Sequence, residues 1–178
     1  MDVETTPIDG LLLIKPKVWR DPRGYFVETW HKDRYEAAGI TLPFVQDNRS
    51  RSARGILRGL HFQRKFPQGK LVSVSSGSVF DVAVDIRKNS PTFGVWHGAL
   101  LTGENQHQLW VPPGLAHGFC VCSETADFSY KCTETYHPED EGSIRWDDPE
   151  LGIAWPVADP VLSQKDLAAP LFKDALLW

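Results

Sequence analysis

The sequence predicts an all-β, mainly antiparallel fold, a β-sandwich or small barrel with a few short peripheral helices. Thirteen Pro and fourteen Gly punctuate the 178 residues so closely that most intervening segments are too short for a long helix. Strand-length runs recur between turn-rich pieces such as Lys88-Asn89-Ser90-Pro91 and Pro112-Pro113-Gly114, without the regular strand–helix alternation of a parallel sheet. No repeat, low-complexity tract or linker interrupts the chain, and its length fits one domain over residues 1–178.

Residues 24–30 read as the first strand, and a short helix over 32–38 is closed by Gly39. Residues 70–75 form the next strand. In 78–86, Val79, Asp81, Ala83 and Asp85 fall on one face and Phe80, Val82, Val84 and Ile86 on the other, so one face is apolar and one carries carboxylates. Further strands are expected at 94–101, 108–111, 118–122 and 126–135, rich in β-branched and aromatic residues. A second helical turn opens at Ser163 with Asp166 three residues later, and 156–178 is expected to wrap the barrel irregularly.

Composition narrows the function. Hydrophobic residues are 42% and charged residues 24%, which argues against wholesale disorder, and no apolar run approaches the ~18 residues of a membrane span. The acidic start Met1-Asp2-Val3-Glu4 is unlike a secretory signal, so the cytoplasm is the default compartment. Three cysteines, Cys120, Cys122 and Cys132, without CxxC spacing read as reduced thiols. A net charge of −4 disfavours nucleic acid. Yet seven of nineteen basic residues lie between Arg49 and Lys70, with no acid among them, which suggests an anionic ligand the size of a diphosphate.

Within that stretch, Arg58-Gly59-Leu60-His61-Phe62-Gln63 is followed by Gln68-Gly69-Lys70. An imidazole with no acid nearby in sequence has no local reason to be protonated and could stay neutral, as a general base must, or it could equally be structural. Pro112-Pro113-Gly114-Leu115-Ala116-His117 resembles the PxGxxH motif of cupin barrels, whose His is often a metal ligand. The companion HxH is missing, so a cupin-like barrel without a metal is expected, with His117 as a hydrogen-bonding residue. Phe128, Tyr130 and Cys132 share a strand face, and Tyr136 follows; a phenol beside a cation can donate a proton. Asp166 could orient a histidine or could simply satisfy helix-start N–H groups.

Taken in order, Asp21-Pro22-Arg23-Gly24-Tyr25-Phe26-Val27-Glu28, Gln46-Asp47-Asn48-Arg49-Ser50, Arg58-Gly59-Leu60-His61-Phe62-Gln63, Lys70-Leu71-Val72, Asp81-Val82-Ala83-Val84-Asp85-Ile86-Arg87, Ser90-Pro91-Thr92-Phe93-Gly94, Ala116-His117-Gly118-Phe119 and Leu162-Ser163-Gln164-Lys165-Asp166 closely resemble the dTDP-4-dehydrorhamnose 3,5-epimerase family. The resemblance spans nearly the whole chain. It implies a cupin-type jelly-roll β-barrel, a homodimer in which an N-terminal strand joins the partner's sheet, and cofactor-free epimerisation at C3 and C5 of a dTDP-linked 4-keto-6-deoxyhexose on the route to dTDP-L-rhamnose. By motif, His61 resembles the base, paired with Asp166, Tyr130 the proton donor on the opposite sugar face, and Lys70 the stabiliser of the enolate oxygen. Arg23, Phe26, Glu28, Gln46, Asp47, Asn48, Arg58, His117, Glu141 and Lys165 stand where the family contacts substrate, and Tyr136 resembles the ring that stacks on thymine.

The chemistry suits these residue types. A C4 ketone acidifies the hydrogens at C3 and C5, the resulting enolate needs a cation or donor at its oxygen, and inversion needs a base on one face and an acid on the other. Related enzymes that epimerise one centre, 3,4-ketoisomerases, a non-catalytic sugar-binding cupin module and a metal-dependent oxygenase are the competing readings.

Overall fold

The computed structural model describes residues 1–177; Trp178, the end of the segment expected to wrap the barrel, lies outside the described residues. The strands are β1 (Asp2–Thr5), β2 (Leu12–Lys15), β3 (Val18–Asp21), β4 (Gly24–Val27), β5 (Gln46–Ala53), β6 (Leu57–Gln63), β7 (Lys70–Ser76), β8 (Ser78–Asp85), β9 (Trp96–Thr102), β10 (Gln108–Val111), β11 (Leu115–Val121), β12 (Thr125–Cys132) and β13 (Glu141–Ser143). Two short α-helices, α1 (Lys32–Ala37) and α2 (Gln164–Leu167), and two 3-10 turns, Pro138–Asp140 and Phe172–Asp174, complete the elements among the described residues.

A six-stranded sheet ordered β1-β2-β10-β7-β12-β5 faces a five-stranded sheet ordered β13-β6-β11-β8-β9, and β3 and β4 form a separate hairpin. The strand ladders are antiparallel, the jelly-roll arrangement that the sequence predicts. Between the sheets lies an apolar plug of Val72, Val74, Leu109 and Phe128 from one wall and Val79, Ala83, Leu101 and Phe119 from the other. At ~1.5–3 kcal/mol for each buried side chain of this size, the plug is the main force holding the two walls together.

The outer face of β8 is buried as well. Phe80, Val82, Val84 and Ile86 cluster with Leu151 and Trp155 and with Phe172, Ala175 and Leu177 of the segment expected to wrap the barrel. The two faces of β8 therefore differ by what lies in the cavity, not by exposure to water.

Several strand ends differ from expectation. The strand expected at 24–30 ends at Val27, that at 94–101 begins at Trp96, that at 118–122 begins at Leu115, and that at 126–135 ends at Cys132. The sequence reading has no strand at β5, because Gln46 to Ala53 alternates between the cavity and solvent with polar residues on both sides. It has none at β6 either, where Gly59 interrupts the pattern. Gly59 has φ +129, and a Cβ there would lie 2.5 Å from Gly118 Cα. This close approach accompanies a bulge, with His117 opposite His61 but Phe119 opposite Arg58.

The turn from β8 to β9 is held by a buried carboxylate. Asp85 accepts from Arg87 Nε (2.9 Å), Ser90 Oγ (2.6 Å) and Thr92 Oγ1 (2.7 Å). Burial alone would raise its pKa, but these donors outweigh it and bring the carboxyl to about 2. A depressed carboxylate stabilises the fold at neutral pH and loses that contribution as pH falls from ~4 towards ~2. Asp85→Asn should therefore cost about 2 kcal/mol in urea unfolding at pH 7 and much less at pH 2.5; an equal cost at both values would contradict the assignment.

Candidate active site

Above the apolar plug the barrel is polar, and the alternation of each strand decides what points inward. In the six-stranded sheet, Lys70 pairs with Cys132, Tyr130 with Val72 and Asn48, and Cys132 with Gln46, so Gln46, Asn48, Lys70 and Tyr130 share the inner face. In the facing sheet, His61 stands opposite both His117 and Ser143, and Gln63 opposite Glu141. Two adjoining cavities of about 280 Å³ each result, and His61, Lys70 and Tyr130 line both. Gln46, Asn48, Gln63, Gln68, Tyr136 and Glu141 belong to one; Ser50, Arg58, His117, Phe119, Lys165 and Asp166 belong to the other.

His61 Nε2 lies 2.5 Å from Asp166 Oδ1. Asp166 is delivered by α2, whose N-cap Ser163 accepts from the Asp166 N–H and donates its own hydroxyl to Oδ2 at 2.7 Å. Of the two readings left open for Asp166, the orienting one holds: its carboxylate bonds His61 and the Ser163 hydroxyl, while the helix-start N–H is satisfied by Ser163. Burial pushes the Asp166 carboxyl up, but His61, Ser163 and Lys165 outweigh it and hold it below the usual range. With an ionised Asp166 accepting from Nε2, Nδ1 is the ring nitrogen that makes no hydrogen bond among the described residues.

The stretch around His61 lacks acids in sequence but not in space: Asp166 pairs with it, as the family resemblance implies, and Glu141 also approaches it, both brought from distant segments of the chain. The reading of seven unpaired cations is corrected. Arg51 pairs with Asp127 of β12 (2.6 Å), and Arg49 donates to Ser129 (3.1 Å), both on the outward side of β5. Arg58 and Lys70 are the members of that cluster that line the cavity.

Lys70 has no ion-pair partner among the described residues, which leaves its ammonium for a ligand. Its removal from bulk water lowers its pKa, partly offset by Cys132, Glu141 and Asp81. On the opposite wall, buried Asp81 holds His117 Nε2 with both oxygens at 3.0 Å. Tyr130 is pushed up from the ordinary phenol value by burial, so its hydroxyl is a protonated donor at neutral pH. Tyr136, half-exposed at the rim, donates to Glu141 Oε2 at 2.7 Å and is raised to about 12 chiefly by that bond.

Other expected residues lie elsewhere. Asp47 points outward between Gln46 and Asn48 and pairs with Lys131 at 2.9 Å, because neighbouring strand residues face opposite ways. Arg23 and Phe26 sit on the exposed β3–β4 hairpin, Arg23 paired with Asp21 (2.5 Å). Glu28 accepts from Arg34 at 2.6 Å. None of these four lines either cavity around His61. Lys165 does, paired with Glu141. The sequence reading omitted Asp81 from the site, although a carboxylate in the middle of an apolar strand signals a buried partner. No three His, Cys, Asp or Glu residues converge on a metal-sized position among the described residues.

A base, a phenol on the facing wall and an unpaired ammonium around one cavity can remove a proton next to a carbonyl, hold the resulting oxyanion and return a proton from the other side.

The profile of the family described as dTDP-4-dehydrorhamnose 3,5-epimerase matches residues 5–174. The chain is 53% identical over 180 residues to the dTDP-4-dehydrorhamnose 3,5-epimerase of Salmonella typhimurium, covering 99% of this chain and 98% of the relative. Its structure is similar to that of a dTDP-6-deoxy-D-glucose-3,5-epimerase from Legionella pneumophila in complex with dTDP-4-keto-L-rhamnose, at 56% identity and a TM-score of 0.94, covering 97% of this chain and 93% of the other. It is also similar to a 3'-monoepimerase from Streptomyces bikiniensis in complex with dTDP-quinovose, at 34% identity and a TM-score of 0.88, covering 94% and 86%.

If burial lowers the Lys70 pKa, NMR of the lysine Nζ groups should find one side chain titrating below the ordinary ~10.4, and that signal should vanish in Lys70→Met. A Lys70 midpoint at or above the ordinary value would contradict this description of the cavity.

Proposed function

This chain belongs to the dTDP-4-dehydrorhamnose 3,5-epimerase family, and we propose that it converts dTDP-4-dehydro-6-deoxy-D-glucose to dTDP-4-dehydro-L-rhamnose by inverting C3 and C5 in its barrel cavity. One observation carries the residue-level reading: His61 and Tyr130 project into the same space from opposite sheets. A pyranose lying between the walls presents one face to each.

The C4 ketone acidifies the neighbouring C–H bonds. His61 takes the hydrogen on Nδ1, the C–H electrons move into the enolate, and Asp166 stabilises the imidazolium through Nε2–H. Lys70, and His117 held by Asp81, supply positive charge or a donor to the enolate oxygen. Tyr130 returns a proton to the same carbon from the far side and is reprotonated from solvent, while His61 releases its own, so the net change is isomerisation without oxidation. Nothing in this sequence asks for a metal or a nicotinamide.

Arg58 and Lys165 suit the diphosphate, and Tyr136 at the rim suits the base, with Gln46, Asn48 and Glu141 completing that side. The whole chain, 1–178, acts as one epimerase unit, and we infer a homodimer. Its support is the β3–β4 hairpin, which exposes Trp19, Tyr25 and Phe26 together with Arg23, outside its own cavity, and the fully exposed edge strand β1. Exposed aromatic rings on a hairpin and an unpaired strand edge both suit a second copy, in line with the expected strand exchange. Three free thiols suit a reducing cytoplasm, where we place the enzyme. No helix among the described residues is long and apolar enough to cross a membrane.

Epimerisation of a single centre is the second reading, because a 3'-monoepimerase shares this fold. Incubation with dTDP-4-keto-6-deoxyglucose in D₂O should place deuterium at both C3 and C5; label at one carbon would favour the second reading. His61→Asn should lower exchange and turnover by ~10²-fold or more with binding little changed, and unchanged exchange would remove His61 as the base. Tyr130→Phe should retain some proton loss while inversion stops. Normal inversion at both centres in that variant would remove Tyr130 as the donor.

A further inference from the structure

His61 lies between two carboxylates, and the second, Glu141, stands near the proton transfer as well as on the nucleotide side of the cavity. Glu141, on β13, directs Oε1 towards His61 Nδ1 at 3.9 Å. Its other oxygen, Oε2, is occupied by the Tyr136 hydroxyl and the Lys165 ammonium. Oε1 makes no hydrogen bond among the described residues, and the Glu141 side chain is only 12% exposed. One carboxylate oxygen is thus held by two donors while the other is open to the cavity within 3.9 Å of an imidazole nitrogen, and a proton on Nδ1 would give it a charge-assisted partner.

We propose that Glu141 is a positioning residue for the base, orienting His61 and stabilising its protonated form on the side that faces the sugar. This rests on the reading of His61 as the base. At 3.9 Å the carboxylate is too distant to occupy the Nδ1 lone pair, so the neutral imidazole remains free to abstract. Once Nδ1 carries the proton, closure by about 1 Å makes a charge-assisted N–H···O bond. The imidazolium then stands between Asp166 and Glu141, one carboxylate on each ring nitrogen.

The ionic surroundings fit. Around His61 stand Asp166 and Lys165 from α2, Glu141 from β13, His117 from β11, Lys70 from β7, Tyr130 from β12 and Arg58 on its own strand. Lys165 is tied to Glu141 and His117 to Asp81, while Lys70 and Arg58 add positive charge that opposes protonation of His61. Asp166 and Glu141 are the carboxylates that come within ion-pair distance of the ring. Burial pushes the Glu141 carboxyl up, but Lys165, Tyr136 and His61 outweigh it, so it is ionised at neutral pH.

Glu141→Gln is nearly isosteric and keeps an oxygen for the Tyr136 hydroxyl while removing the charge. Rates of deuterium incorporation into the 4-keto sugar, measured from pH 5 to 9 with kcat and KM separated, test the role. The variant should lose ~10–10²-fold in kcat with KM within about threefold, its acidic limb should move down by ~1 pH unit, and Glu141→Asp should recover part of both. A variant that changes KM alone, or keeps the wild-type acidic limb, overturns the proposal and leaves Glu141 as a substrate contact or a structural group. His61→Asn run in parallel separates the two claims. If that variant exchanges normally, the base assignment itself fails; if it is inactive while Glu141→Gln matches the wild type, the positioning role alone fails.

Discussion

The separation of base and acid onto facing sheets is the constraint on which the site depends. A single sheet presents neighbouring inward residues to one side of a ligand, whereas inversion needs proton loss and return on opposite sides. The jelly roll supplies two walls, and the apolar plug of Val72, Val74, Phe119 and Phe128 fixes their spacing at one end while the other stays open and polar. Phe119 and Phe128, stacked with centroids 4.0 Å apart, form the floor on which the polar residues stand. Core packing therefore also sets the reach of His61 and Tyr130, because interiors of this density do not deform gradually.

The charges in the cavity are arranged so that most are already paired. Asp166 holds His61, Asp81 holds His117, and Glu141 holds Lys165 and Tyr136. Isolated buried charges are costly, and these pairings let the barrel carry three carboxylates around one cavity. Lys70 stands apart as an ammonium drawn out of water with no anion bonded to it among the described residues. An anionic oxygen that develops only during the reaction suits that position, since a preorganised charge needs no rearrangement when it forms.

Much of this was legible in the sequence. Pro and Gly spacing with strand-length runs gave the all-β class, and the motifs around His61, His117, Tyr130 and Asp166 led to the residues that line the cavity. The partnership of His61 with Asp166 was legible from the motifs, whereas the approach of Glu141 to the ring was not, because it arrives through β13, distant in sequence. Pairing of Asp81 with His117 depends on the β8–β11 register, which no local pattern specifies. Asp47 shows the converse: a motif names three consecutive residues, and strand alternation turns the middle one away. Strand β5 escaped because one side faces solvent and the other a polar cavity, so hydrophobic alternation never develops.

The central claim concerns relative placement, and a crystal structure of the protein with a dTDP-linked, non-epimerisable 4-keto-sugar analogue tests it most directly. In that complex His61 Nδ1 and Tyr130 Oη should lie on opposite faces of the pyranose, each about 3–3.5 Å from a reacting carbon, with Lys70 or His117 at the C4 oxygen. Both side chains on one face, or either beyond reach of the ring, would contradict it.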